Sequence, residues 1–244
     1  MAKEWYPYVR LADFHNEFSE GQVRDLPEIA SQVRFVLRVF LITIVLAVSA
    51  FAFDYPLSPT AISEAYFLGQ RHDEKAIEFL GKYFRRLPLP DKGPYISEIS
   101  LLTPYAQVVS HSWDGGMGYS AQQAQDDYRS HGDAIRVKVR IEFTNTYSAM
   151  QGAKPDQGDS KTMGYTLRPP DFWHTFGFEL SQKGRLIPPE STQGEPIYDD
   201  SGFVGAEVRL AYDLKEFASA ETSIAVVTPE HQRVMAKFDL SELR

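Results

Sequence analysis

The stretch Ala134–Phe143, AIRVKVRIEF, alternates without a break. Ile135, Val137, Val139, Ile141 and Phe143 fall in one phase; Arg136, Lys138, Arg140 and Glu142 fall in the other. Side chains of a β-strand point to opposite faces in turn, so the first set belongs in a core and the second in water. The same period recurs downstream. EVRLAYDL (207–214) places Val208, Leu210, Tyr212 and Leu214 together, and RVMAKFDL (233–240) does so with Val234, Ala236, Phe238 and Leu240. FWHTFGFEL (172–180) puts Phe172, His174, Phe176, Phe178 and Leu180 in one phase, and TSIAVV (222–227) and TPYAQVVSHS (103–112) are further strand candidates. Turn chemistry lies between them: Gly184 in SQKGRL and Pro229 in VTPEHQRV mark hairpins. Residues 145–171 read as one long polar loop. No helix-sized segment separates the late strands, so antiparallel sheets are expected rather than a parallel βαβ sheet.

The segment before the strands reads as helical. Ser58-Pro59 offers an N-cap and a first-turn proline to AISEAYFLGQR (61–71), with Ile62, Ala65, Tyr66 and Leu68 on one face. Asp73 caps EKAIEFLGKYFRRL (74–87), whose stripe is Ala76, Ile77, Leu80, Tyr83, Phe84 and Leu87. PLPDKGP (88–94) ends it.

Residues 39–53 carry no charge. As a helix they would reach only about 22 Å against a bilayer core of about 30 Å. That length suits the apolar region of a signal peptide. Arg34 and Arg38 precede it, Ala50-Phe51-Ala52 offers a small-x-small cleavage site, and Pro56 follows. More than thirty residues stand ahead of this run, which a signal peptide does not need. The expected organisation is therefore residues 1–32 as a cytoplasmic tail or mis-assigned start, 33–52 as a signal peptide or signal anchor, 53–92 as a helical hairpin and 93–244 as a β-sandwich domain. Export to the periplasm or cell exterior is expected. The alternative is a single-span protein with its C-terminal domain outside, touching the membrane only through residues 33–53.

The end of the chain resembles immunoglobulin-like sandwich modules of exported bacterial proteins. FELSQKGRLIPPE (178–190), GAEVRLAYDL (205–214) and KFDLSEL (237–243) carry the resemblance, which covers about the last seventy-five residues. The Cys…Trp…Cys core of antibody domains is absent, because the chain has no cysteine. The resemblance implies an antiparallel immunoglobulin-like β-sandwich behind a short helical hairpin. It implies no function.

Composition narrows the function. Net charge is -8, which repels phosphate backbones and argues against nucleic acid as a partner. Without cysteine there is no thiolate metal site and no cysteine nucleophile. No GxSxG elbow, HExxH or calcium-loop motif occurs. The densest polar cluster, 111–133, holds His111, Asp114, His131 and Asp133, which are competent ligands for a divalent metal should the segment fold back on itself. A surface helix capped by Ser120 is the simpler expectation there. Trp113, in a loop beside Gly115-Gly116, and Trp173, opposite in phase to His174, are candidates for stacking on sugar rings. His174 itself is expected as a buried neutral histidine. No cofactor is expected. The favoured function is a non-catalytic binding or assembly module of the cell envelope, its partner an envelope protein or a glycan. The alternatives are a metal-dependent hydrolase on the His111/Asp114/His131/Asp133 cluster and a glycan binder using the two tryptophans.

Overall fold

The alternating stretch forms a strand with one fully buried face. Strand β3 (Ala134–Glu142) turns Ile135, Val137, Val139 and Ile141 inward, each with no exposed surface. The structure is a computed structural model that describes residues 55–116, 118–152, 165–200 and 202–244. The tail expected at 1–32 and the apolar segment expected at 33–52 lie outside the described residues. No helix among the described residues is long and apolar enough to cross a membrane.

Strand β3 lies in a five-stranded sheet of order β1-β2-β3-β9-β8, where β1 is Phe84–Arg86, β2 Tyr95–Leu102, β8 Ser191–Asp199 and β9 Gly202–Asp213. A four-stranded sheet has the order β11-β10-β6-β7, with β6 Gly177–Gln182, β7 Arg185–Ile187, β10 Glu221–Val227 and β11 Arg233–Asp239. Every described pairing is antiparallel. The protein is mainly β with antiparallel sheets behind a short helical N-terminal segment, as the alternation predicts.

The inner faces share one core. Ile99, Val137, Val139, Val208 and Leu210 come from the larger sheet, and Leu180, Ile224, Val226, Ala236 and Phe238 from the smaller. One polar network is built into it: Gln182 Nε2 donates to Thr222 Oγ1 at 2.8 Å and to the carbonyls of Ala218 and Ala220, while its Oε1 accepts the Ala218 N–H at 2.8 Å. A buried amide satisfied at both ends fixes register without leaving an orphaned group. The β6–β7 turn uses Lys183 and Gly184, both at positive φ (51° and 77°), the backbone a two-residue hairpin demands.

Among the described residues four α-helices flank the sheets. Helix α1 (Pro59–Gln70) begins as predicted, with Ser58 accepting the Ala61 N–H at 3.1 Å and proline in the first turn. Helix α2 (Glu74–Gly81) is capped by Asp73 as predicted but is shorter than its apolar stripe suggests. Phe84–Arg86 instead pair with β2, and Ile77 is exposed. Helix α3 (Pro104–Asp114) replaces the strand expected at 103–112. Thr103 accepts the Ala106 N–H and Pro104 opens the first turn; residues 104–110 are all buried, so no polar face betrays the helical period. Helix α4 (Ala121–His131) carries a full capping box between Ser120 and Gln123. Helices α1, α3 and α4 pack a second core from Ile62, Ala65, Tyr105, Val108, Val109 and Ala124.

Two further expectations change. The stretch 172–180 is not one strand: Pro169-Pro170-Asp171 drives a 3₁₀ turn over Phe172–Thr175, closed by the Phe172 N–H on the Pro169 carbonyl at 3.0 Å, and only Gly177 onward is strand. His174 is therefore exposed rather than buried. Within the expected long loop, β4 (Met150–Gly152) and β5 (Tyr165–Leu167) pair as a ribbon.

Candidate functional site: a cationic cleft under helix α3

The outward residues of β3 were expected in water. Arg140 and Glu142 are close to that expectation and bond each other at 2.8 Å. Arg136 and Lys138 are not, because α3 roofs that end of the sheet. Gln107 on α3 fastens it there, its Nε2 donating to the carbonyls of Leu102 (3.1 Å) and Ala134 (2.7 Å) at the ends of β2 and β3. Between the helix and the outer sheet face lies a cleft of about 530 Å³. Small-ligand sites span about 300–1,000 Å³.

Strand register explains what lines the cleft. Arg136 stands opposite Ala211, and Lys138 opposite Arg209; β8 adds Ser191 beside Ala211 and Gln193 beside Arg209. His111 and Ser110 face it from α3. Among the described residues no Asp or Glu lines it. The cations differ in how they are neutralised. Arg209 is held by Glu207 at 2.7 Å and Glu195 at 3.0 Å, one register step further along the sheet. Among the described residues no carboxylate lines the cleft beside Arg136, and its Nε is buried and without a hydrogen-bond partner. Burial, and then the neighbouring Arg209 charge, push the Arg136 guanidinium below its usual range. Ser100 Oγ, opposite Lys138 on β2, is also buried without a partner. Orphaned buried polar groups are rare and call for an explanation at each site.

The predicted site residues stand as follows. His111 lies on α3 at the cleft rim, and Asp114, the last residue of that helix, is exposed. Asp133 accepts the hydroxyl of Tyr128, whose own oxygen accepts the Leu57 N–H at 2.8 Å. Burial, and then that contact, push the Tyr128 phenol well above its usual range. His131 ends α4, and its side chain lies outside the description. Among the described residues no three His, Asp or Glu side chains are grouped to hold a metal ion. Trp113 is on α3 rather than in a loop; it is half-buried, its ring 4.5 Å from that of His72. Trp173 is half-buried against the main core and lies over Gly194 of β8. Each ring thus has one face covered by the protein's own packing.

Sequence reading missed the cleft for one reason. Arg136 and Lys138 were legible as the polar phase of a strand, but their roof was read as another strand. The available signal was Thr103-Pro104, a helix start of the same kind as Ser58-Pro59.

Fold and site together define a mainly β, antiparallel protein with a cationic recess on its outer sheet face. No known protein family matches the chain, and no characterised protein matches it in sequence.

Proposed function

We propose that the chain is an exported, envelope-associated binding or assembly module without catalytic activity, and that the cleft under α3 is its recognition site. The cleft carries this reading. It is preformed, fixed by Gln107 and by strand register, and of small-ligand volume. It offers hydrogen-bonding and cationic groups, and no Asp or Glu among the described residues lines it. Export rests on the short apolar run after Arg38 and its small-x-small exit. The immunoglobulin-like reading draws support from strand order. Sheet β2-β3-β9-β8 over sheet β11-β10-β6 follows the order ABED over GFC, with β1 and β7 as added edge strands. Helices α3 and α4 are then an insertion between the first two strands, and the cleft is what that insertion creates.

Hydrogen exchange on the purified full chain, with and without an envelope extract of the native host, tests the proposal. Slowed exchange confined to β3, β8, β9 and α3 is expected. Unchanged exchange there, or consumption of an extract component by the pure protein, overturns it.

A further inference from the structure

We infer that the cleft holds a doubly charged oxyanion, the phosphate group of a phosphomonoester. This deepens the binding-module reading and rests on it.

Charge is the first observation. The molecule carries net charge -8, yet the cleft gathers Arg136, Lys138 and Arg209 with no acid in its lining among the described residues. Arg209 is already paired with two glutamates. The buried Nε of Arg136 has no hydrogen-bond partner, and no carboxylate among the described residues lines the cleft beside Arg136 and Lys138. Two cations side by side on one strand, with no acid in the cleft lining among the described residues, repel each other. A ligand bearing two negative charges removes both penalties at once.

Geometry is the second. Positions two apart on a strand are about 7 Å apart, and both side chains rise from the same face. A tetrahedral phosphate can take the planar fork of a guanidinium on one side and an ammonium on the other. A single carboxylate neutralises only one of them. The volume exceeds that of a phosphate alone, so the group arrives attached to a small polar body, which Gln193 and Ser191 are placed to meet. The recess is also too local for nucleic acid, whose binding spreads over many phosphates along a basic surface.

The purified full chain is unfolded by heat while inorganic phosphate or glycerol 3-phosphate is titrated at constant ionic strength. Binding to the native state gives a saturable rise in Tm, about 5–10 °C at a hundredfold excess over Kd. Arg136→Gln and Lys138→Gln should unfold cooperatively and lose that rise. Phosphate also stabilises proteins by exclusion from their surface. A rise that is equal in the wild type and both variants, or that never saturates, overturns the inference. Should either variant fail to fold, the other carries the comparison, and ³¹P line broadening on the wild type must titrate with the same midpoint. Vesicles of phosphatidylcholine with and without phosphatidic acid separate the sources. Variant-sensitive binding to phosphatidic acid alone makes the group a lipid headgroup; the glycerol 3-phosphate response alone makes it a free metabolite. Absence of any phosphate effect, alongside extract-dependent protection of the cleft, overturns the oxyanion and leaves the binding module standing.

Discussion

Gly194→Ala should loosen the edge of the larger sheet by a route that can be followed optically. Gly194 pairs with Val208, whose side chain is fully buried, so both face the core. A Cβ at Gly194 would lie 2.2 Å from Trp173 Cε2 and 2.3 Å from its Nε1. Real contacts of this kind fall near 3.5–4.0 Å, so the indole must retreat by about 1.5 Å or the strand must peel. A tryptophan buries about 150–250 Å² when enclosed, and Trp173 is half-buried. Roughly 100 Å² of apolar surface is therefore at stake, worth about 2.5 kcal/mol at about 25 cal/mol per Å². Alanine recovers about 0.5–1 kcal/mol of the entropy that glycine loses in a strand. The net loss is about 1–2 kcal/mol, or a fall in Tm of about 3–8 °C for a body of this size. Heat unfolding followed by tryptophan emission is the assay, with a red shift in the native state as the second readout. On a Trp173→Ala background the obstacle is gone, and Gly194→Ala should cost nothing further. An equal cost on both backgrounds, or unchanged emission and Tm in the single variant, would refute the account of Trp173 as a core-edge residue.

Gln107→Ala removes both bonds that hold α3 over the sheet and leaves two carbonyls unpaired; a loss of about 2–3 kcal/mol by urea unfolding is expected, with faster hydrogen exchange at the end of β3. Ser120→Ala breaks the capping box of α4 at about 1 kcal/mol, read as a Tm drop that Ser120→Asp restores. The Asp73 carboxyl is held below its usual 3.8, first by the Ala76 N–H and then by Arg71. Its contribution is complete above pH 3.8 and lost as pH falls through the lower folded value, so Asp73→Asn should flatten the acid limb of the stability curve without steepening it above neutrality. The chain has no cysteine, so Ser191→Cys at the cleft rim is a single reporter. A membrane-impermeant maleimide should label it in spheroplasts as fully as in lysed cells if the domain is exported.

The sheets were legible wherever one face is buried and the other wet. In β3, β9 and β11 the period of two survives intact from sequence to burial pattern. Helix α4 was legible for the converse reason: Ser120 and Gln123 announce its start and nearly all of its surface is polar. Helix α3 was not, because enclosure on every side erases the contrast that periodicity depends on. Phe172–Thr175 failed differently. Their aromatic residues fit a strand, but the prolines ahead of them impose a turn that outweighs the pattern. The candidate metal residues share a stretch of sequence, but among the described residues no three of them group as ligands: Asp114 ends α3, and Asp133 accepts from Tyr128 of α4.

The placement of Arg136 links these outcomes. A strand with a single wet face can carry arginine at little cost, since water solvates the charge. Once α3 covers that face, the same residue becomes a half-enclosed cation beside Arg209, with an Nε that nothing accepts. Glutamate at 136 would pair with Arg209, and methionine would fill the space without charge, so removing the guanidinium should stabilise the unliganded protein. A cation with an unpartnered Nε where α3 roofs the sheet is therefore a position at which a role beyond folding can be tested. Arg136→Met therefore has a sign that separates the two accounts. If the guanidinium is structural, Tm falls; if it waits for an anion, Tm rises in phosphate-free buffer, and the order of wild type and variant reverses once phosphate saturates the cleft.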